Sequence, residues 1–218
     1  MSNQSFKHDL FTQFARVGKA LSNANRLELL EFLAQGERSV DALASVAGLT
    51  VANTSQHLQQ LRQAGLVTAH KQGLKVFYAL NGNDVIALLG NLRLVAEHNL
   101  ADVEQLVQRY LDSKDNLEPV PRKELLARVR EGLVTVLDVR PTEEFKAGHV
   151  AGAVNVPIED LQNRIDQFDP SMEVVAYCRG PHCVLAFDAV KQLRDKGFTA
   201  HRLEEGYPEW QAAGFPTE

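Results

Sequence analysis

Two cysteines in 218 residues, one tryptophan and no long apolar run are the first things this sequence withholds. Cys178 and Cys183 stand five positions apart in one segment, so there is no disulfide framework to staple an extracellular fold, and the pair points to chemistry instead. No stretch approaches the roughly 20 apolar residues that span a bilayer, and Met1 to Leu10 is polar and mixed in charge, unlike a secretory signal. The expectation is a cytoplasmic protein with no membrane partner. Surplus positive charge is missing as well. Lys+Arg against Asp+Glu is 11 to 11 over residues 1–117 and 12 to 17 over 118–218, so the formal charge of −5 belongs to the second part. A neutral balance in the first part is compatible with a locally basic face there.

What is present is a change of periodicity. Asn23 to Leu33 carries Leu27, Leu30 and Leu33 three apart, with Arg26 and Glu31 on other faces, as in an amphipathic helix. Ser39 and Asp41 offer start signals for a short helix over Ala42 to Ala47, which Gly48 stops. Thr50 can cap the next helix, whose Thr54, Leu58 and Leu61 share one face. After Ala64-Gly65, Val67 to Ala69 and Lys75 to Tyr78 read as strands flanking a turn at Lys71-Gln72-Gly73, a hairpin wing. From Asp84 to about Tyr110 runs one long helical pattern, too apolar along one side to be left in water, which implies a partner helix, with self-association its simplest source.

Polar Ser113 to Asn116 followed by Pro119 and Pro121 marks a boundary, giving domains over 1–112 and 119–218 with a linker at 113–118. Beyond it Val134 to Val139, Ala153 to Val156 and Val174 to Tyr177 are short β-rich runs. They are separated by helical stretches such as Arg122 to Arg130 and Leu185 to Lys196, the pattern of a central parallel sheet in an α/β domain.

The helix, turn, helix and wing of the first half suit DNA, because a second helix can enter the major groove while a wing meets phosphates. Off the apolar stripe stand Val51, Ala52, Asn53, Ser55, Gln56, His57, Gln59 and Gln60, with Thr50 at the helix start. Asn and Gln can pair bidentately with adenine, and small residues allow close approach. His70, Lys71 and Lys75 in the wing supply cations for phosphate contact. Through L-S-N-A-N-R-L-E-L-L (Leu21 to Leu30) and T-S-Q-H-L-Q-Q-L-R-Q-A-G-L-V (Thr54 to Val67), residues 8 to 105 resemble the ArsR family of winged helix-turn-helix repressors. The resemblance implies a homodimer that reads a palindromic double-stranded operator and is released by an inducer. Metal-sensing members carry cysteines before the turn, whereas Ser39 to Leu43 has no thiol. Glu97, His98, Asp102 and Glu104 read as a solvated face, so no metal is expected.

In the second half a buried strand, Val174 to Tyr177, runs into the loop Cys178-Arg179-Gly180-Pro181-His182-Cys183 and then a helix. Such a strand, loop and helix can cradle a group among backbone N–H donors at a helix start. Arg179 and His182 beside the thiol would favour its thiolate. Three phrases, Leu137 to Pro157, the cysteine loop, and Leu203 to Pro216, resemble a single-domain rhodanese, a family that carries sulfane sulfur as a cysteine persulfide. The resemblance makes Cys178 the sulfur acceptor, with the amides around Gly180 stabilising the persulfide. It gives Asp138, Arg140, Glu144 and His149 scaffold roles. Cys183 occupies the region where thiosulfate-using rhodaneses carry Arg or Lys, leaving Arg179 as the fixed loop cation. Val184 stands where a Cys-x5-Arg loop would need arginine, which argues against oxyanion ester chemistry.

Cys183 reads either as a second thiol that resolves the persulfide into a disulfide or polysulfide bridge, or as a small buried residue at a helix start. The expected function is a transcription regulator, a winged helix-turn-helix followed by a rhodanese-like α/β domain that senses polysulfide, persulfide or thiosulfate without a cofactor. The alternatives are a sulfurtransferase enzyme that controls its own gene, or a regulator whose second domain is an inert docking module.

Overall fold

Residues 3–112 and 119–218 are described by a computed structural model of the chain, so the expected linker at 113–118 lies outside the described residues. The chain divides into two units, Met1–Leu89 and Gly90–Glu218.

In the first unit α1 (Asn3–Leu21) precedes α2 (Ala24–Ala34), which starts where the Asn23 side chain accepts the Arg26 N–H. Ser39 serves twice, closing the short strand β1 (Arg38–Ser39) and capping α3 (Val40–Val46) by accepting the Ala42 N–H at 3.3 Å. Gly48, at φ +64°, supplies the left-handed residue that ends α3. Thr50 then caps α4 (Val51–Gln63), and Thr54, Leu58 and Leu61 are its buried face as the spacing predicts. These side chains join Leu29, Leu30, Leu33 and Leu43 in one core.

The wing is β2 (Val67–Gln72) and β3 (Lys75–Leu80), with β1 added to give the antiparallel order β1-β3-β2. Its strands are longer than expected. Lys71 pairs with Val76 and Gln72 with Lys75, which shifts the turn from Lys71-Gln72-Gly73 to Gly73-Leu74, where Gly73 takes φ +61°. Arg26 departs from its expected outward place, turning inward to be 8% exposed.

The single helix expected from Asp84 to Tyr110 is interrupted. α5 (Asn83–Asn99) stops at Leu100, whose backbone is extended at φ −114° and ψ 105°, and α6 (Ala101–Val107) begins afresh before a π-helical turn over Gln108–Asp112. The reason is local: Asp102 and Glu104 favour the positive amino end of a new helix over the middle of an old one.

The second unit continues with α7 (Arg122–Arg130), β4 (Val134–Asp138), α8 (Thr142–Ala147), β5 (Val154–Asn155) and α9 (Ile158–Arg164). β6 (Glu173–Tyr177), α10 (Val184–Asp195), β7 (Ala200–Arg202) and α11 (Tyr207–Ala212) complete it. The sheet is parallel in the order β5-β4-β6-β7. Alternation along β6 sends Val174 and Ala176 into one core with Ala189, Val190 and Leu193, and Val175 and Tyr177 into another with Leu125 and Trp210. Cys178 continues the first of these faces at the carboxyl end of the strand, where open parallel sheets place their sites.

Candidate functional site

Two sites arise, one on α4 and the wing, the other where β6 meets α10. The Thr50 hydroxyl accepts the Asn53 N–H at 3.2 Å and fixes the start of α4. Val51, Ala52, Asn53, Gln56 and Gln59 are exposed along that helix, while Ser55 and His57 are half-buried. Gln60 is the exception to the expected reading face: its side-chain oxygen accepts Arg26 Nη1 at 2.6 Å, so it is committed to holding α2. In the wing Lys71 and Lys75 are exposed. His70 instead sets Nδ1 3.2 Å from the Glu37 carboxylate and stacks on Phe77, so its ring is engaged within the protein. Leu74 at the tip is 99% exposed.

At the second site Cys178 and Cys183 are joined as a disulfide, with Cα atoms 6.1 Å apart, inside the span of about 4.4–6.8 Å that such bonds tolerate. Cys178 is 1% exposed and Cys183 half-buried at the start of α10. The loop between them is held from both ends. Cys183 N–H donates to Gly180 O at 3.1 Å, and Tyr207 N–H donates to Cys178 O at 3.1 Å. Gly206 lies so close to the Arg179–Gly180 backbone that a Cβ there would have no room. Glu209 in turn accepts the Gly206 N–H at 3.2 Å.

The electrostatics differ from expectation. Arg179 points its guanidinium at Glu144, which is 1% exposed, with Nε 3.1 and 3.0 Å from the two carboxylate oxygens and Nη2 at 2.7 Å. The residue expected as the loop cation is therefore neutralised by a carboxylate 35 positions away, a pairing no local spacing reveals. His182 sits with Nε2 3.3 Å from Glu97. Its pKa is lowered, first by burial and then by Arg93 and Arg202, against the opposing pull of Glu97. The amino end of α10, whose first turn carries no acidic residue, favours a thiolate once the bond is reduced. An NMR titration of the His182 ring is expected to give a midpoint below the ordinary 6.5. Glu97→Gln is expected to lower it further, because it removes a charge that stabilises the imidazolium; an upward move would refute that assignment.

Beneath the loop Asp138 and Arg140 form an ion pair with both side chains fully buried, Nη2 lying 2.6 Å from Oδ2. Arg140 Nη2 also donates to Gly148 O at 2.8 Å, and Tyr177 OH donates to Asp138 at 2.5 Å. Burial opposes the charge of Arg140, but the hydrogen bonds and charge of Asp138 prevail and its pKa stands raised. His149 stacks on Phe145, and its Nδ1 meets Phe145 O at 3.0 Å. Asp138, Arg140 and His149 thus make their contacts within the second unit away from the two sulfurs, whereas Glu144 holds Arg179 of the cysteine loop.

A helix-turn-helix with a three-stranded wing, followed by a parallel sheet that ends in a cysteine loop, defines a DNA-binding regulator fused to a rhodanese-like domain. Residues 23–69 match the arsR family of bacterial regulatory proteins, and residues 121–213 match the rhodanese-like domain. The chain is 44% identical over 212 residues to the HTH-type transcriptional regulator Rv0324 of Mycobacterium tuberculosis, covering 97% of this chain and 93% of that protein. Among solved structures, the homodimeric winged helix-turn-helix domain of a possible ArsR-family regulator from Mycobacterium bovis is 42% identical, covering 46% of this chain and 91% of that one with a TM-score of 0.42. A rhodanese-related protein from Thermoplasma volcanium is 24% identical, covering 47% of this chain and 98% of that one, also with a TM-score of 0.42. The chain belongs to the ArsR-family HTH-type transcriptional regulators, in the form that carries a carboxy-terminal rhodanese-like domain. No helix among the described residues is long and apolar enough to cross a membrane.

Proposed function

We propose that this regulator is a homodimeric repressor whose affinity for a palindromic operator is set by the sulfur chemistry of Cys178 and Cys183. Residues 1–112 form the DNA-binding and dimerisation domain and 119–218 the sulfur-sensing domain. The observation that carries the reading is the juxtaposition of the two sulfurs at the carboxyl end of β6.

The Cys178 thiolate attacks the sulfane sulfur of a persulfide donor, R–S–SH. The Cys178 persulfide forms and RS⁻ leaves. Cys183 thiolate then attacks Cys178 Sγ, the Cys178–Cys183 bond forms and hydrosulfide departs. Two thiols are oxidised by one sulfane sulfur, which is reduced to sulfide, so no other oxidant is needed. With Arg179 held by Glu144 and His182 disfavouring its charged form, the loop offers poor recognition to the thiosulfate dianion, which favours polysulfide or a small persulfide as donor.

Thr50, Ala52, Asn53, Ser55, Gln56, His57 and Gln59 are the base-reading group, with Lys71 and Lys75 on phosphates and His70 beside them. Dimerisation is supported by apolar side chains left exposed in one copy, Phe6, Phe11 and Phe14 on α1 and Leu88, Leu92 and Val95 on α5. α5 is the lever for the response. Within the second unit its Arg93 donates to Glu209, the residue that accepts Gly206 N–H beside the cysteine loop, and its Glu97 meets His182 of that loop. Operator binding by reduced and polysulfide-treated protein, at one fixed salt concentration, tests the proposal; equal affinities would reject it.

A further inference from the structure

Where the carboxyl ends of α1 and α4 meet the amino end of α2, the first unit has a cleft of about 440 Å³, within the range of roughly 300–1,000 Å³ usual for small-molecule sites. Three cations line it, Arg16, Lys19 and Arg26, together with Ser22, Gln60 and Gln63, and no lining residue is a carboxylate.

The acceptors that hold the two guanidinium groups are all neutral. Buried Arg26 donates Nη1 to Gln60 at 2.6 Å, Nη2 to Lys19 O at 2.9 Å, and Nε to Ala20 O. Arg16 donates Nη1 to Gln13 at 2.8 Å and Nη2 to Gln63 O at 3.2 Å. Three of these acceptors are carbonyls at the ends of α1 and α4, where each helix contributes a partial charge of about −0.5. Two such ends against three cations leave the cleft with a net charge near +2. The amino end of α2 adds nothing negative, since its first turn holds no acidic residue.

We propose that this cleft binds a tetrahedral oxyanion, with Arg16 and Lys19 as its movable clamps and Arg26 as its fixed floor. A buried guanidinium satisfied only by neutral oxygens keeps its charge and directs it at whatever enters. Arg26 locks α2 to α4, so an anion seated on it touches both the core of the unit and the base of its recognition helix. The same chemistry is supplied by a free ion of the sulfate or phosphate class and by a phosphate of the DNA backbone.

Calorimetric titration of the full chain with sodium sulfate and with inorganic phosphate, ionic strength balanced by chloride, is the first arm of the test. Saturation at one site per chain is expected, weakened about tenfold by Lys19→Gln and by Arg16→Gln, each removing a charged donor. The second arm measures operator binding against salt: a backbone phosphate in the cleft lowers the slope of log K on log salt by about 0.9 in Lys19→Gln. Saturation by the free ions with an unchanged slope assigns a small-ion site. A reduced slope without saturation assigns the DNA backbone. If the wild type binds neither ion and the slopes match in variants that melt like the wild type, or if saturation survives both substitutions, the proposal is overturned.

Discussion

Cys178→Ser is expected to leave operator affinity unmoved by polysulfide, where the wild type shifts by about 5–150-fold, the range of ordinary coupling energies. The loss is complete because serine oxygen cannot accept a sulfane sulfur, while the fold is spared: Cys178 is a small buried residue on a face lined by Ala176, Ala186 and Ala189. Cys183→Ser separates the two steps. Its Cys178 persulfide has no neighbour to resolve it, so mass spectrometry should find an adduct of about 32 Da that the wild type releases as sulfide. A response retained in Cys178→Ser would place sensing elsewhere. An unmodified Cys183→Ser would show that Cys178 does not accept sulfur at all.

The second large effect concerns stability. Asp138→Asn is expected to destabilise the second unit by about 3–5 kcal/mol, because the fully buried Arg140 keeps its charge and loses the carboxylate that offsets burial. For a domain of this size that corresponds to a fall in melting temperature of roughly 10–20 °C. The double variant Asp138→Asn with Arg140→Met should recover much of the loss, since an apolar replacement for both partners leaves no buried charge behind. A single variant that melts within a degree or two of wild type would mean water reaches the pair. Tyr177 marks the same dry environment, its hydroxyl pKa pushed up by burial and by the neighbouring Asp138.

How much of this could be read from residues alone follows the range of the interactions involved. The recognition helix was legible because its cap, Thr50, and its stripe, Thr54, Leu58 and Leu61, lie within one short window. β4 and β6 were legible because strands covered on both faces are continuously apolar. β1 and β7 were not, being two and three residues long with polar members, Arg38, Ser39, His201 and Arg202, and existing through the neighbours they pair with. The cysteine loop stood out from its strand, loop and helix context, but its charge did not. Arg179 meets Glu144 across 35 positions, and Arg26 meets Gln60 across 34; both arginines look available in sequence and both are committed in space.

The bond between Cys178 and Cys183 joins residues only five positions apart. A hoop that small removes little freedom from the unfolded chain, about 2 kcal/mol in the loop-entropy description against nearly 5 for a hundred-residue span. Opening it therefore leaves the surrounding sheet standing, since two buried cores and the Asp138–Arg140 pair hold the domain without it. On the proposed function the linkage acts as a latch rather than a girder, and reduced and oxidised protein are expected to melt within a few degrees of one another.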